Sequence, residues 1–202
     1  MSERLLKKEL SYISQKVYNR GLTQATGGNI SVRVPDRNAI LIKRSGISLG
    51  EVTPEDMILL SMEGDVLEGN GKPSKEYRFH LGIYHIRPDI QAVVHCHPNY
   101  SIAYASLGEE LPLPTVTARK ILGQVPVAGV AASGSQELAD NVTGVFRNYP
   151  DIKGCLMAEH GICTVGENLE AAYNIATLVE DTAKQAFILN QLKSTNALTA
   201  SP

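Results

Sequence analysis

The sequence predicts a single α/β domain of three layers, α/β/α, around a mixed and largely antiparallel central sheet. Three observations predict it. The first third of the chain holds paired short runs of apolar and β-branched residues separated by tight turns, the pattern of antiparallel hairpins. After residue 74 such runs alternate with stretches whose apolar residues recur at helical spacing. The 202 residues, 43% of them hydrophobic, suffice for one sizeable core and point to one domain.

Taken in order, Leu5, Leu6, Leu10, Ile13, Val17 and Tyr18 line a helix over residues 3–20, and Gly21 ends it. Residues 30–34 and 39–43 are strands joined at the turn Pro35-Asp36-Arg37-Asn38. Residues 57–61 and 66–68 form a second pair around Glu63-Gly64-Asp65. A helix is expected from Ser74, its N-cap, to Arg87, closed by Pro88. The apolar run at 92–97 reads as a buried strand, followed by a helix over 99–107. Strands are expected at 126–130 and, as one continuous run, at 156–165, with an amphipathic helix over 135–148 between them. The last helix starts near Asn168, with Leu169, Ala172, Tyr173, Ala176, Val179, Ala183 and Phe187 on one face. The domain is taken as residues 1–193, and the polar remainder, 194–202, as a flexible tail.

A formal net charge of −2 provides no electrostatic reason to bind nucleic acid or an anionic membrane. No apolar run approaches the roughly 18 residues that a membrane-crossing helix needs. The first nine residues mix charges and lack the apolar centre of a secretion signal. Cys96, Cys155 and Cys163, an odd number without paired spacing, read as reduced thiols. The expectation is a cytoplasmic protein.

The chemistry concentrates around His95 and His97, one residue apart in Val93-Val94-His95-Cys96-His97-Pro98. Side chains alternate along a strand, so both imidazoles face one way and Cys96 faces the other, as an inert core thiol. His160, in Glu159-His160-Gly161, offers a third imidazole, with Gly161 permitting a close approach. Glu159 would point to the opposite face of a regular strand. Glu76, on the first turn of its helix, adds a carboxylate. Three histidines and a carboxylate suit one Zn²⁺ per chain, and other divalent metals accept the same donors. His80 and His85, later on the Glu76 helix, are read as surface or supporting residues. Three loops could cradle an anion: Thr26-Gly27-Gly28-Asn29, Arg44-Ser45-Gly46-Ile47 and Pro73-Ser74-Lys75-Glu76. Backbone N–H groups at glycine turns and helix starts point outward there. Lys75 is either a solvated residue or a cation for a phosphate or carboxylate.

The series Gly28-Asn29-Ile30-Ser31, Ser45-Gly46, Pro73-Ser74-Lys75-Glu76, His95-Cys96-His97 and Glu159-His160-Gly161 resembles the class II aldolase/adducin family over about residues 4–190. The resemblance implies zinc held by His95, His97 and His160, with Glu76 as fourth ligand in the resting state. It implies a phosphate site from Gly28, Asn29, Ser45, Gly46, Ser74 and Lys75. It also implies a sugar-phosphate substrate and a homotetramer with active sites between subunits. Adducin-like scaffold members lack the metal histidines, and this chain keeps all three.

The length and the Pro-Ser-x-Glu motif are most similar to the fuculose-phosphate aldolase branch; the epimerase branch carries Asp at the Glu76 position. That branch implies reversible cleavage of a ketose 1-phosphate to dihydroxyacetone phosphate and a small aldehyde. The reaction would pass through an enediolate that the metal stabilises, with Glu76 moving the proton. Two departures stand out. The stretch 111–120 lacks the tyrosine that the aldolase branch takes from a neighbouring subunit; Val116 falls near its place, and Arg119 or Lys120 is the substitute on offer. The tail also lacks the aromatic residue that family members use as a lid. The second departure is Lys75, where the aldolases often have Ser. Ser-Lys-Glu is similar to the 3-oxo-tetronate 4-phosphate decarboxylase branch, which is the alternative reading.

Overall fold

A computed structural model describes residues 2–34 and 36–199. Met1, Pro35 of the expected turn and residues 200–202 of the expected tail lie outside them. The elements in chain order are α1 (Glu3–Asn19), β1 (Asn29–Val34), β2 (Ala39–Lys43), a 3₁₀ turn (Pro54–Asp56), β3 (Met57–Ser61), β4 (Val66–Glu68) and α2 (Tyr77–Ile86). They continue as β5 (Ala92–Cys96), α3 (Asn99–Ala105), α4 (Val116–Leu122), β6 (Val127–Ala128), α5 (Gln136–Asn148), β7 (Gly154–Met157), β8 (Gly161–Gly166) and α6 (Leu169–Thr199). Among the described residues the eight strands form one sheet in the order β4-β3-β2-β1-β5-β8-β7-β6. Six neighbouring pairs are antiparallel and the edge pair β6–β7 is parallel.

Two cores sit on the two faces of this sheet, and strand alternation decides which residue goes where. Ala39 and Leu41 of β2 join Leu10, Ile13 and Val17 of α1 and Ala176 and Val179 of α6. Ile40 and Ile42, their alternates, join Phe79 and Ile83 of α2 and Val142 and Phe146 of α5. The three-layer, mixed and largely antiparallel architecture is therefore as the sequence predicts. No helix among the described residues is long and apolar enough to cross a membrane.

Five elements differ from expectation. The helix expected from Ser74 starts at Tyr77, with Glu76 rather than Ser74 as N-cap. Residues 72–74 are held against the end of β2 by the Arg44–Pro73 bridge and the Ser45 N–H to Lys72 O bond, so the chain stays extended until it turns. The continuous strand expected at 156–165 is two strands, β7 and β8, reversed through Ala158-Glu159-His160. Glu159 adopts φ 57° in that turn, so it occupies no strand face. The strand expected at 126–130 shrinks to two residues at the sheet edge, where β7 is its partner. Helix α4, unanticipated, is capped by the Thr115 side chain accepting from the Ala118 N–H and ends at Gly123, φ 68°. The last helix runs through 194–199, residues expected to belong to the tail.

Candidate metal centre and anion cleft

Strand β5 is central, and its register places His95 opposite Asn29 of β1 on one side and Cys163 of β8 on the other. His95 is fully buried. Its Nδ1 lies 2.9 Å from the Ile162 carbonyl. A carbonyl only accepts, so Nδ1 carries the proton and Nε2 offers a lone pair to the site. His97 stands one residue beyond the strand, tied by its N–H to Leu22 O at 2.9 Å. Its Nε2 is 2.9 Å from His95 Nε2. His160, on the β7–β8 turn, brings Nε2 to 3.2 Å from Glu76 Oε1, while Glu76 Oε2 is 3.2 Å from His95 Nε2. One nitrogen from each of His95, His97 and His160 lies within 4.8 Å of the others. This donor set fits a divalent metal: the three imidazoles converge from different directions, and His95 presents only a lone pair there.

Glycine makes the convergence possible. A Cβ at Gly161 would run into the Cys96 carbonyl and come within 2.8 Å of His97 Cδ2, and one at Gly27 within 2.6 Å of His97 Nδ1. Gly161→Ala is therefore expected to cost about 1–3 kcal/mol, a fall in Tm of roughly 2–12 °C. A thermal melt checks this, and zinc titration should report weaker binding, because His97 must shift.

Glu76 is almost fully buried, and each of its carboxylate oxygens accepts a side-chain hydrogen bond. Asn29 Nδ2 donates to Oε2 at 2.8 Å, and Ser133 Oγ donates to Oε1 at 2.6 Å. Burial pushes its pKa up, but the adjacent ring nitrogens of His95 and His160 and the hydrogen bond from Ser133 outweigh this and hold it well below the usual carboxylate range.

A cleft of about 370 Å³ opens beside this centre. It is lined by all six residues expected to form the phosphate site, Gly28, Asn29, Ser45, Gly46, Ser74 and Lys75, together with Glu76 and His97. The Asn29 side chain is turned toward Glu76 and His80. Lys43, at the end of β2, also lines the cleft; its Nζ donates to Ile47 O at 2.6 Å and Thr26 O at 3.3 Å. Burial lowers its pKa to about 8.

Lys43 and Ser133 were not foreseen. Lys43 reads as one polar position closing an apolar strand, and Ser133 lies in a run of small residues without a motif. His80, read as surface or supporting, is wholly inside, behind Asn29, and burial lowers its pKa to about 3, so it is neutral. His85 is exposed, with Nε2 3.0 Å from Met62 O. Cys96 lies in the core on the other face of β5, as expected, and burial raises its thiol pKa far above the usual value. Val116, Arg119 and Lys120 are exposed on α4 and do not line the cleft of their own chain; Arg119 Nη1 donates to the Leu113 and Pro114 carbonyls. A roomier cleft, of about 510 Å³, between Arg87, Lys153 and Glu167 holds none of the three histidines.

The chain as a whole has counterparts among known proteins. The family model described as class II aldolase and adducin N-terminal domain matches residues 8–187. The chain is 36% identical over 179 residues to the 5-deoxy-D-ribulose 1-phosphate aldolase of Bacillus thuringiensis serovar kurstaki, covering 87% of this chain and 83% of that protein. It is 33% identical over 194 residues to the 3-oxo-tetronate 4-phosphate decarboxylase of Escherichia coli K12, covering 93% and 88%. A solved structure of L-fuculose 1-phosphate aldolase superposes with a TM-score of 0.84 at 33% identity, covering 92% of this chain and 86% of that one. The chain belongs to the class II aldolase and adducin N-terminal domain family, stands close to the fuculose-phosphate aldolases within it, and is with them a lyase.

Proposed function

We propose that this chain cleaves a ketose 1-phosphate of the L-fuculose 1-phosphate type, reversibly, to dihydroxyacetone phosphate and a small aldehyde. The observation that carries this reading is the adjacency of a three-histidine centre, a buried ionised carboxylate and a glycine-, serine- and lysine-lined cleft. Zinc is the proposed ion, one per chain, held by His95, His97 and His160 with Glu76 completing the set at rest. When bound, it supplies a Lewis acid that polarises the ketose carbonyl and carries charge as the adjacent carbon–carbon bond breaks. Glu76 delivers the proton to the carbon released by that cleavage and removes it in the reverse direction. Gly28, Asn29, Ser45, Gly46, Ser74 and Lys75 bind the phosphate, so that remote binding energy orients the reacting bond.

The test needs no aldehyde. Zinc-loaded protein incubated with dihydroxyacetone phosphate in D₂O should replace one hydroxymethyl proton, seen by NMR. Absence of exchange by metal-replete protein would sink the aldolase reading.

Lys43 adds a pH dependence. Below about pH 8 it is cationic, and above it the charge is lost. The KM for dihydroxyacetone phosphate should therefore rise through about pH 8, while Lys43→Gln should have a high KM with no such step. A flat wild-type profile would remove Lys43 from anion binding.

The alternative is a 3-oxo-tetronate 4-phosphate decarboxylase of the same family. Lys75 favours it: an exposed cation in the cleft, next to Glu76, suits a substrate carboxylate. Carbon dioxide release from acid-sugar phosphates by protein silent in the exchange assay would establish it. A non-catalytic scaffold is disfavoured by the intact ligand set, and metal analysis of the purified protein tests it. A homotetramer with sites between subunits, working in the cytoplasm without nucleic-acid or membrane partners, completes the proposal. The exposed apolar residues Ile188, Leu189 and Leu192, beside Pro114, support a subunit interface. Sedimentation equilibrium should find four chains.

A further inference from the structure

Behind the cleft, helix α2 and strand β1 face each other through polar residues where a core would be expected. Glu76, His80 and Tyr84 follow one another at four-residue intervals, and Asn29, Ser31 and Arg33 at two-residue intervals. Four helical residues advance about 6 Å, and two strand residues about 6.6 Å. The two rows therefore stay in step and interlock. Asn29 sits between Glu76 and His80, with His80 Nε2 2.5 Å from Asn29 Oδ1. Ser31 sits between His80 and Tyr84, with Oγ 2.7 Å from His80 Nδ1 and 2.9 Å from the Tyr84 hydroxyl. Arg33 closes the row: its guanidinium lies 4.6 Å from the Tyr84 ring centroid and donates to the Tyr84 and Ile90 carbonyls. His80, Ser31 and Asn29 are at most 2% exposed.

We infer that this polar zipper is a directional hydrogen-bond relay in which His80 fixes the Asn29 amide, and through it the working orientation of Glu76. The direction follows from proton counting. The Glu76 carboxylate only accepts, so Asn29 must present its NH₂ to it and its Oδ1 to His80. His80 must then carry its proton on Nε2. Nδ1 is left as an acceptor for the single Ser31 hydroxyl proton, and Tyr84 donates to Ser31. A reversed amide would set Oδ1 against the carboxylate, and the chain of donors forbids it. His80 is thus a positioning residue that never touches substrate. The inference rests on the proposed role of Glu76 only for its catalytic consequence.

Two measurements on the zinc-loaded protein test it. The first is ¹⁵N–¹H NMR of histidine-labelled protein, with the His80 signals assigned by their loss in His80→Gln. The expected result is a neutral Nε2–H ring; an Nδ1–H ring or an imidazolium overturns the relay. The second is the dihydroxyacetone phosphate exchange. His80→Leu should lower its kcat about 10- to 100-fold with little change in KM, the usual cost of losing a group that orients an active-site residue. His80→Gln, whose amide nitrogen can take the place of Nε2–H, should recover most of that loss. A folded His80→Leu protein with wild-type kcat, or no recovery in His80→Gln, overturns it. Should the wild type show no exchange, the aldolase reading fails, and the NMR result still decides the relay.

Discussion

Glu76→Gln is expected to remove deuterium incorporation into dihydroxyacetone phosphate, a fall of about 10²–10⁴-fold, the range that general acid–base groups contribute. The substitution is nearly isosteric, so the loss reports chemistry more than folding. In the native protein Oε1 and Oε2 each face an imidazole and each accept a further hydrogen bond, from Ser133 and Asn29. A glutamine supplies one oxygen and one NH₂ to those four neighbours. It can keep its oxygen toward Asn29 and turn its NH₂ toward Ser133, whose hydroxyl can accept, but it cannot carry the transferred proton. Zinc content should stay near one per chain if the three imidazoles suffice to hold the ion. Full exchange in Glu76→Gln would move the proton-transfer role to another residue.

The second large effect concerns the metal. His97→Ala should weaken zinc binding by more than the roughly 10- to 100-fold that losing a group behind a ligand costs. His97 is the choice among the three because it stands past the end of β5 and is only partly buried, so truncation leaves the sheet intact. A competitive chelator titration reads the affinity. In parallel, chelator-stripped wild type should lose proton exchange and regain it with stoichiometric zinc, whereas His97→Ala should stay silent at the same zinc concentration. Equal zinc affinity in the two proteins would take His97 out of the coordination set.

Much of this site was legible along the chain. His95-Cys96-His97 announces itself because a strand alternates its side chains, and the structure accordingly puts His95 toward the centre and Cys96 in the opposite core. The anion loops are legible because glycine and helix starts expose N–H groups. The β7–β8 reversal was not, because apolar residues on either side of Ala158-Glu159-His160 read as one strand and Glu is an unusual residue for φ 57°. Helix α4 carried legible signals, Thr115 before it and Gly123 after it, but seven residues are too few for a clear helical stripe.

By itself the sequence determined the layered architecture, most strand positions, the three imidazoles and the cleft loops, since each depends on spacing within a short segment. Only the tertiary structure decided what surrounds Glu76. Ser133 is 57 residues away along the chain, Asn29 is 47 residues away, and His80 acts through Asn29 across a helix–strand interface. A run of Glu-x₃-His-x₃-Tyr or of Asn-x-Ser-x-Arg is unremarkable alone. The two become a relay only when α2 packs on β1 in a register where a helical turn matches a pair of strand residues, so that the buried polar groups of Asn29, Ser31, His80 and Tyr84 meet one another.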